Sequence, residues 1–247
     1  MENMRKEYEK FTVVDIETTG LDPKKDKITE IAAMRVENGN ITDTFHTLVN
    51  PGRVLEERIV SLTGLCDEDL KKAPHIGDVI GDFIQFETTG CLLGHSILFD
   101  FSFLKRAAVN AGNTFEKTGI DTLAISRKYL ADLGSRSLPF LCKHFEIRHT
   151  PHRAMSDVEA TYELYKILLQ KFGETEDANK LFEPSMLIYQ VKKEGLIQPK
   201  QKEQINRFLS YYHVESAYDI NVLSRNEASR YLDYLISQYG RIPPRRV

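Results

Sequence analysis

The first dense apolar run covers residues 11–16, FTVVDI, and two adjacent valines in so short a stretch predict a buried strand. Asp15 and Glu17 sit at its end. Beyond the turn-rich TTGLDPKKD, residues 28–36 and 41–49 alternate as strands around a Glu-Asn-Gly-Asn hairpin signal at 37–40. Residues 56–88 predict short helices interrupted at Pro74, and 91–94 a brief apolar strand. Asn113 and Gly119 bracket a turn, followed by helical stretches at 122–133 and 138–145. The clearest helix covers 156–172: Thr161, Leu164, Tyr165, Leu168 and Phe172 recur at helical spacing, and Ser156 with Glu159 fits a capping box. Asp157 lies one turn before Thr161 on that stripe, so its carboxylate should face the sheet. Strands first and helices interleaved later predict a mixed α/β layer structure.

From 173 the pattern lapses into polar residues, GETEDANKLFEP, which reads as a linker over 174–184 between a first domain, 1–173, and a helical accessory module, 185–247. Two amphipathic stripes define the module: Ile205, Phe208, Leu209 and Tyr212, then Ala228, Tyr231, Leu232, Leu235, Ile236 and Tyr239. The second is opened by a Ser224/Glu227 capping box and stopped by Gly240.

Composition narrows the class. The chain has 247 residues, 41% hydrophobic and 28% charged, enough to bury a sizeable core. No apolar stretch approaches the roughly 20 residues of a membrane span, and the start, MENMRKEYEK, is too polar for a signal peptide, so a cytosolic protein is expected. Cys66, Cys91 and Cys142 are odd in number and far apart, a poor basis for a disulfide framework or a zinc site. Net charge is −3, but the module carries ten Lys or Arg against six Asp or Glu. Seven of the eleven tyrosines follow residue 188, and Tyr212, Tyr231 and Tyr239 fall on the apolar stripes, where packing is the favoured role. Lys200, Lys202, Arg207, Arg225, Arg230, Arg245 and Arg246 are left as candidate phosphate contacts.

The informative anomaly is acidic residues on or beside apolar runs, since folding gains nothing from burying them unpaired. Asp15 and Glu17, two apart on a strand, point to one face. Asp100 follows Leu98 and Phe99 ahead of the apolar Phe101, Phe103 and Leu104, and Asp157 rides the late helix. Four converging carboxylates would repel unless divalent cations lay between them, and an all-oxygen set suits Mg²⁺ or Mn²⁺. Two such ions can clamp the attacking and leaving oxygens of a phosphodiester displacement.

DIETTG at 15–20, H-x-x-x-F-D at 95–100 and H-R-A-x-x-D at 152–157 together resemble the three motifs of the DEDDh 3′-to-5′ exonuclease family, the superfamily of ribonuclease T and the proofreading epsilon subunit of DNA polymerase III. The resemblance covers roughly residues 8–173. It implies a ribonuclease H-like fold, a mixed five-stranded sheet flanked by helices. It also implies Asp15, Glu17, Asp100 and Asp157 as ligands of two Mg²⁺ or Mn²⁺ ions, and His152 as the general base. An imidazole titrates near neutrality, which suits it to take a proton from the attacking water. Pro151 and Arg153 place His152 on a loop.

The same resemblance implies that Thr18 and Leu21 position the terminal nucleotide and that His95 and Phe99 line its sugar and base pocket. Many relatives have asparagine after the position of His95, whereas this chain has Ser96, so an amide hydrogen bond there is lost. His144, His149 and His152 lie on different short segments without a thiolate, a poor zinc set, and His46, His75 and His213 receive no role. The expected activity is release of nucleoside 5′-monophosphates from a single-stranded or frayed 3′ end of DNA or RNA, with proofreading or repair beside a DNA polymerase as the setting. The alternatives are an exoribonuclease trimming RNA 3′ ends and a catalytically silent nucleic-acid-binding or polymerase-associated subunit. Oligomeric state is left open.

Overall fold

The structure is a computed structural model that describes residues 10–175 and 178–243. Its chain order is β1 (Lys10–Thr18), β2 (Ile28–Glu37), β3 (Asn40–Leu48), α1 (Glu57–Thr63), α2 (Asp67–Lys71), α3 (Ile76–Phe86), β4 (Cys91–Gly94), α4 (Ile97–Asn110), β5 (Thr118–Asp121) and α5 (Thr122–Tyr129). There follow α6 (Leu138–His144), α7 (Ala154–Phe172), α8 (Ala178–Phe182), β6 (Ser185–Met186), α9 (Pro199–Tyr212), a 3₁₀ turn at Ile220–Val222, and α10 (Arg225–Tyr239). The strands form one mixed sheet in the order β3-β2-β1-β4-β5-β6. β1, β2 and β3 run antiparallel, β1, β4 and β5 parallel. The β2–β3 hairpin turns through Asn38 (φ 51°) and Gly39 (φ 76°), the residue pair that tolerates two left-handed positions.

Alternation along β1 divides the core into two layers. Phe11 and Val13 face α5, α6 and α7, packing with Ile125, Leu141, Val158, Leu164 and Leu168. Val14 and Ile16 face α3 and α4, against Ile80, Phe83, Phe101 and Leu104. Each fully buried side chain of this size contributes about 1.5–3 kcal/mol.

Six strands stand where the family resemblance implies five and the residue pattern marks four, and the two unmarked ones come from unexpected places. Thr118–Asp121 is a parallel strand although Asn113 and Gly119 suggest a turn. A Cβ on Gly119 would meet the Leu187 side chain at 2.8–2.9 Å, so glycine there serves a close approach of two chain segments. Ser185–Met186 then adds the sixth strand beside β5. Phe182 and Leu187, on either side of it, are buried in the two core layers. The polar stretch around 174–184 therefore leads into segments packed on the first domain.

A second difference concerns the start of α7. The helix begins at Ala154 after Arg153, and Ser156 is inside it, its Oγ accepting from Thr150 N–H at 2.8 Å, so the expected Ser156 capping box does not form. Asp157 reaches back instead, Oδ2 accepting from Arg153 N–H at 3.1 Å. In the C-terminal part the capping box of Ser224 and Glu227 is complete, and Ile205, Phe208, Leu223, Ala228, Tyr231 and Leu235 form a separate small core. Tyr212 and Tyr239 pack there with their rings 5.4 Å apart. Arg245 and Arg246 lie outside the described residues. Cys91 and Cys142 are buried free thiols, and among the described residues no helix is long and apolar enough to cross a membrane.

Candidate active site

Because β1, β4 and β5 are parallel, their C-terminal ends open at one end of the sheet, and the motif residues lie at or after the ends of β1 and β4 or at the start of α7. Asp15 and Glu17 alternate onto the layer occupied by α7. There Asp157 closes the group: one carboxylate oxygen from each of Asp15, Glu17 and Asp157 lies within 4.8 Å of the others. Asp100 enters from the opposite layer, in the first turn of α4, 3% exposed, with Oδ1 accepting from Ile16 N–H at 3.1 Å. A register shift follows Glu17, where Glu17 pairs with Glu30 but Thr18 with Ile28. This bulge bends β1 into the loop of residues 19–27.

The electrostatics are those of crowded like charges. Burial pushes Asp15 well above the usual carboxylate range, and the charges of Asp100, Asp157, Glu17 and Glu30 push it further. Glu17 is pushed up to about 8, first by burial, then by Asp157 and Glu30, with the nearby Arg153 pulling the other way. Asp100 is also raised by burial, against the hydrogen bond from Ile16. Four acids converging from β1, α4 and α7, all oxygen donors, fit a hard divalent cation and few other partners.

His152 occupies the turn before α7 in a left-handed conformation, φ 62°, half-buried. The histidine in contact with the acids is His149, whose Nε2 donates to Asp157 Oδ1 at 2.7 Å from a nearly buried ring. Thr18 is buried and donates to the Gly20 carbonyl at 2.6 Å, whereas Leu21, three residues on, is 83% exposed. His95 has both ring nitrogens engaged, Nδ1 with Thr122 Oγ1 at 2.9 Å and Nε2 with the Arg136 carbonyl at 2.8 Å. Phe99 packs against Phe103 with the rings tilted, centroids 5.0 Å apart.

An exonuclease family model matches residues 12–165, more than half the chain and all three motifs. The chain belongs to the DEDD exonuclease family. As such it is a hydrolase of the 3′-to-5′ exonuclease class, and divalent-metal dependence comes with membership. The exonuclease is 41% identical over 165 residues to the PolC-type DNA polymerase III of Caldanaerobacter subterraneus subsp. tengcongensis, a match covering 66% of this chain and 12% of that protein. It thus spans about an eighth of that relative's length. Among solved structures it resembles exonuclease X in complex with 5′-overhanging duplex DNA (TM-score 0.54, 22% identity, 70% of this chain and 99% of that one). It also resembles E. coli exonuclease I in complex with a dA16 oligonucleotide (TM-score 0.57, 19% identity, 70% and 42%). Those likenesses speak to the fold.

Three features of the exonuclease site escape the sequence reading. Glu30 is 1% exposed, stands across the β1–β2 pair from Glu17, and is held by His46 Nε2 at 2.6 Å. The signal existed: a glutamate inside the apolar run at 28–36 is as anomalous as Asp15. His149 gave none, because it falls outside the three motifs and its contact with Asp157 is made by the fold of the loop. Ser96 stood out in the sequence as a departure, but not its backbone: it takes a left-handed φ of 79° at the N-cap of α4, a conformation asparagine tolerates better than serine.

Proposed function

We propose that this exonuclease removes nucleoside 5′-monophosphates one at a time from a single-stranded or frayed 3′ end, DNA in the first instance, alongside a polymerase or repair complex. The convergence of Asp15, Glu17 and Asp157 within 4.8 Å, with Asp100 beside them, carries this reading. Those four side chains would hold two Mg²⁺ or Mn²⁺ ions. When bound, the ions supply Lewis-acid stabilisation of the charge that builds on the phosphodiester oxygens. His152, on the turn just before α7, accepts the proton of the attacking water, and His149 orients Asp157. Leu21, apolar and left uncovered, packs against the terminal base, with Thr18 fixing the turn that presents it. Phe99 lines the sugar pocket, and His95 ties the end of β4 to the segment around Arg136, shaping that pocket's wall. The PolC-type relatives favour DNA as substrate and a polymerase as partner.

The test is hydrolysis of matched 5′-labelled DNA and RNA strands, with paired and unpaired 3′ ends, in Mg²⁺ and in Mn²⁺. Progressive shortening from the 3′ end with mononucleotide release, fastest on unpaired DNA, is expected. Full-length strands in both metals, indistinguishable from an Asp15→Ala control, would sink the proposal in favour of a silent binding subunit.

A further inference from the structure

The loop of residues 19–27 has a rigid interior. Thr19 N–H donates to the Lys27 carbonyl at 2.8 Å, Asp22 N–H to Asp26 Oδ2 at 2.9 Å, and Lys27 N–H to Thr19 Oγ1 at 3.0 Å. A Cβ on Gly20 would strike the Asp26 carboxyl at 2.4–2.8 Å, so that acid fills the loop's concave side. What holds the loop against the rest of the molecule comes from α10, from α4 and from Arg53. Lys27 Nζ is 2.5 Å from Oε1 of Glu227, whose Oε2 accepts from Ser224 N–H at 2.8 Å. Arg230 of α10 and Arg106 of α4 both donate to the Lys24 carbonyl, at 3.5 and 3.3 Å.

A third tether is indirect. Arg53 donates to Asp26 Oδ1 at 2.8 Å, to Thr19 Oγ1, and to the Lys25 carbonyl at 3.4 Å. Its own backbone is pinned from the other side. Arg53 forms a bridge with Tyr218, Val54 N–H donates to the Ala217 carbonyl at 3.2 Å, and Asp219 N–H to the Gly52 carbonyl at 2.7 Å.

We propose that the C-terminal helices act as a brace for this loop: Glu227 and Arg230 directly, and residues 217–219 through Arg53, hold Leu21 where it grips the 3′-terminal nucleotide. This rests on the exonuclease reading given above. It differs from strand capture by the module's basic residues in a way that one substitution separates. Glu227 is acidic. Replacing it with glutamine removes a negative charge, which strengthens the binding of a polyanion if capture is the module's role, but loosens the loop if bracing is.

The experiment uses the full chain carrying Glu227→Gln, a change that keeps an oxygen acceptor for Ser224, and separately Lys27→Met, which attacks the same pair without touching α10. Both are assayed with Mn²⁺ on a dinucleotide and on a long single strand. Amide hydrogen exchange over residues 19–27 is followed in parallel. The brace predicts a fall in kcat/KM of about five- to tenfold on both substrates for each variant, the scale of one net hydrogen bond. It also predicts faster exchange confined to the loop, and a double variant no worse than either single one. Unchanged dinucleotide turnover with tighter binding of the long strand, or unchanged exchange in the loop, overturns it. A wild-type protein that hydrolyses neither substrate overturns the exonuclease reading instead, and the exchange data still decide whether the loop is braced.

Discussion

Glu17 and Glu227 are the same residue type, both largely buried, and they respond in opposite directions. Burial and two neighbouring carboxylates push Glu17 up to about 8. Burial would also raise Glu227, but the charge of Lys27 and the hydrogen bonds from Lys27 and Ser224 outweigh it and hold the carboxyl below the usual range. Glu194 follows the second pattern, with Arg106 3.1 Å away. The contrast separates two uses of buried charge. Where the C-terminal segment meets the 19–27 loop and α4, Glu227 and Glu194 each have a matching cation within the chain. At the catalytic end of the sheet, acids are set against acids, an arrangement that costs stability and makes sense as a demand for a cation from outside.

The largest break in that contrast is expected from Asp15→Asn. Turnover should fall on the order of 10³-fold or more in a 5′-labelled oligonucleotide assay, because a ligand shared by the whole cluster is gone. Next comes His152→Ala, for which kcat should drop about 10²-fold or more while stabilisation of the fold by Mn²⁺, read from Tm, stays as in the wild type. His149→Ala should do the reverse, weakening the Mn²⁺-induced Tm shift as expected for a residue that orients a ligand.

The pH dependence tests the signs directly. A carboxyl raised from 4.5 to about 8 keeps its proton in the folded state through a window where the unfolded chain has lost it. The folded state then binds more protons, and stability falls as pH rises through that window. The metal-free protein, held in EDTA, should therefore lose Tm between about pH 5 and pH 8, with Mn²⁺ restoring more at the upper end. Glu17→Gln should raise the metal-free Tm at pH 8 and flatten the slope.

Glu194→Gln should have the smaller and opposite effect. Its lowered carboxyl stabilises above the unfolded pKa and loses that contribution as pH falls through the folded one. The variant should lose about 1–2 kcal/mol near neutrality in denaturant unfolding and less toward acid. If Glu17→Gln and Glu194→Gln moved Tm in the same direction at pH 8, the division drawn here would fail.

How much of this was legible in the chain depends on whether the signal was local. The 11–16 run, the Asn-Gly hairpin, the α7 stripe and the Ser224/Glu227 cap are read from neighbours a few residues apart, and they form as expected. So is the set of four acids, because the penalty for burying a carboxylate marks each one singly. What was not legible required a partner far along the chain. β5 is a strand because β4 and Leu187 take its two sides, and four residues centred on a glycine carry no such information alone. The true start of α7 was displaced by Thr150, which claims the hydroxyl of Ser156. The ties from Arg53 and Arg230 to the 19–27 loop span from 27 to more than 200 residues of sequence and leave no pattern in it.

The two-residue strand Ser185–Met186 is small, but it changes what a shortened form of this protein would be. Met186 hydrogen-bonds along β5 and Leu187 seals the hollow over Gly119, so ending the chain at the polar stretch before Ser185 would not trim an appendage from an intact catalyst. It would bare a greasy sheet edge next to a loop that had lost its ties to α10. Such a fragment would be prone to stick to its own kind.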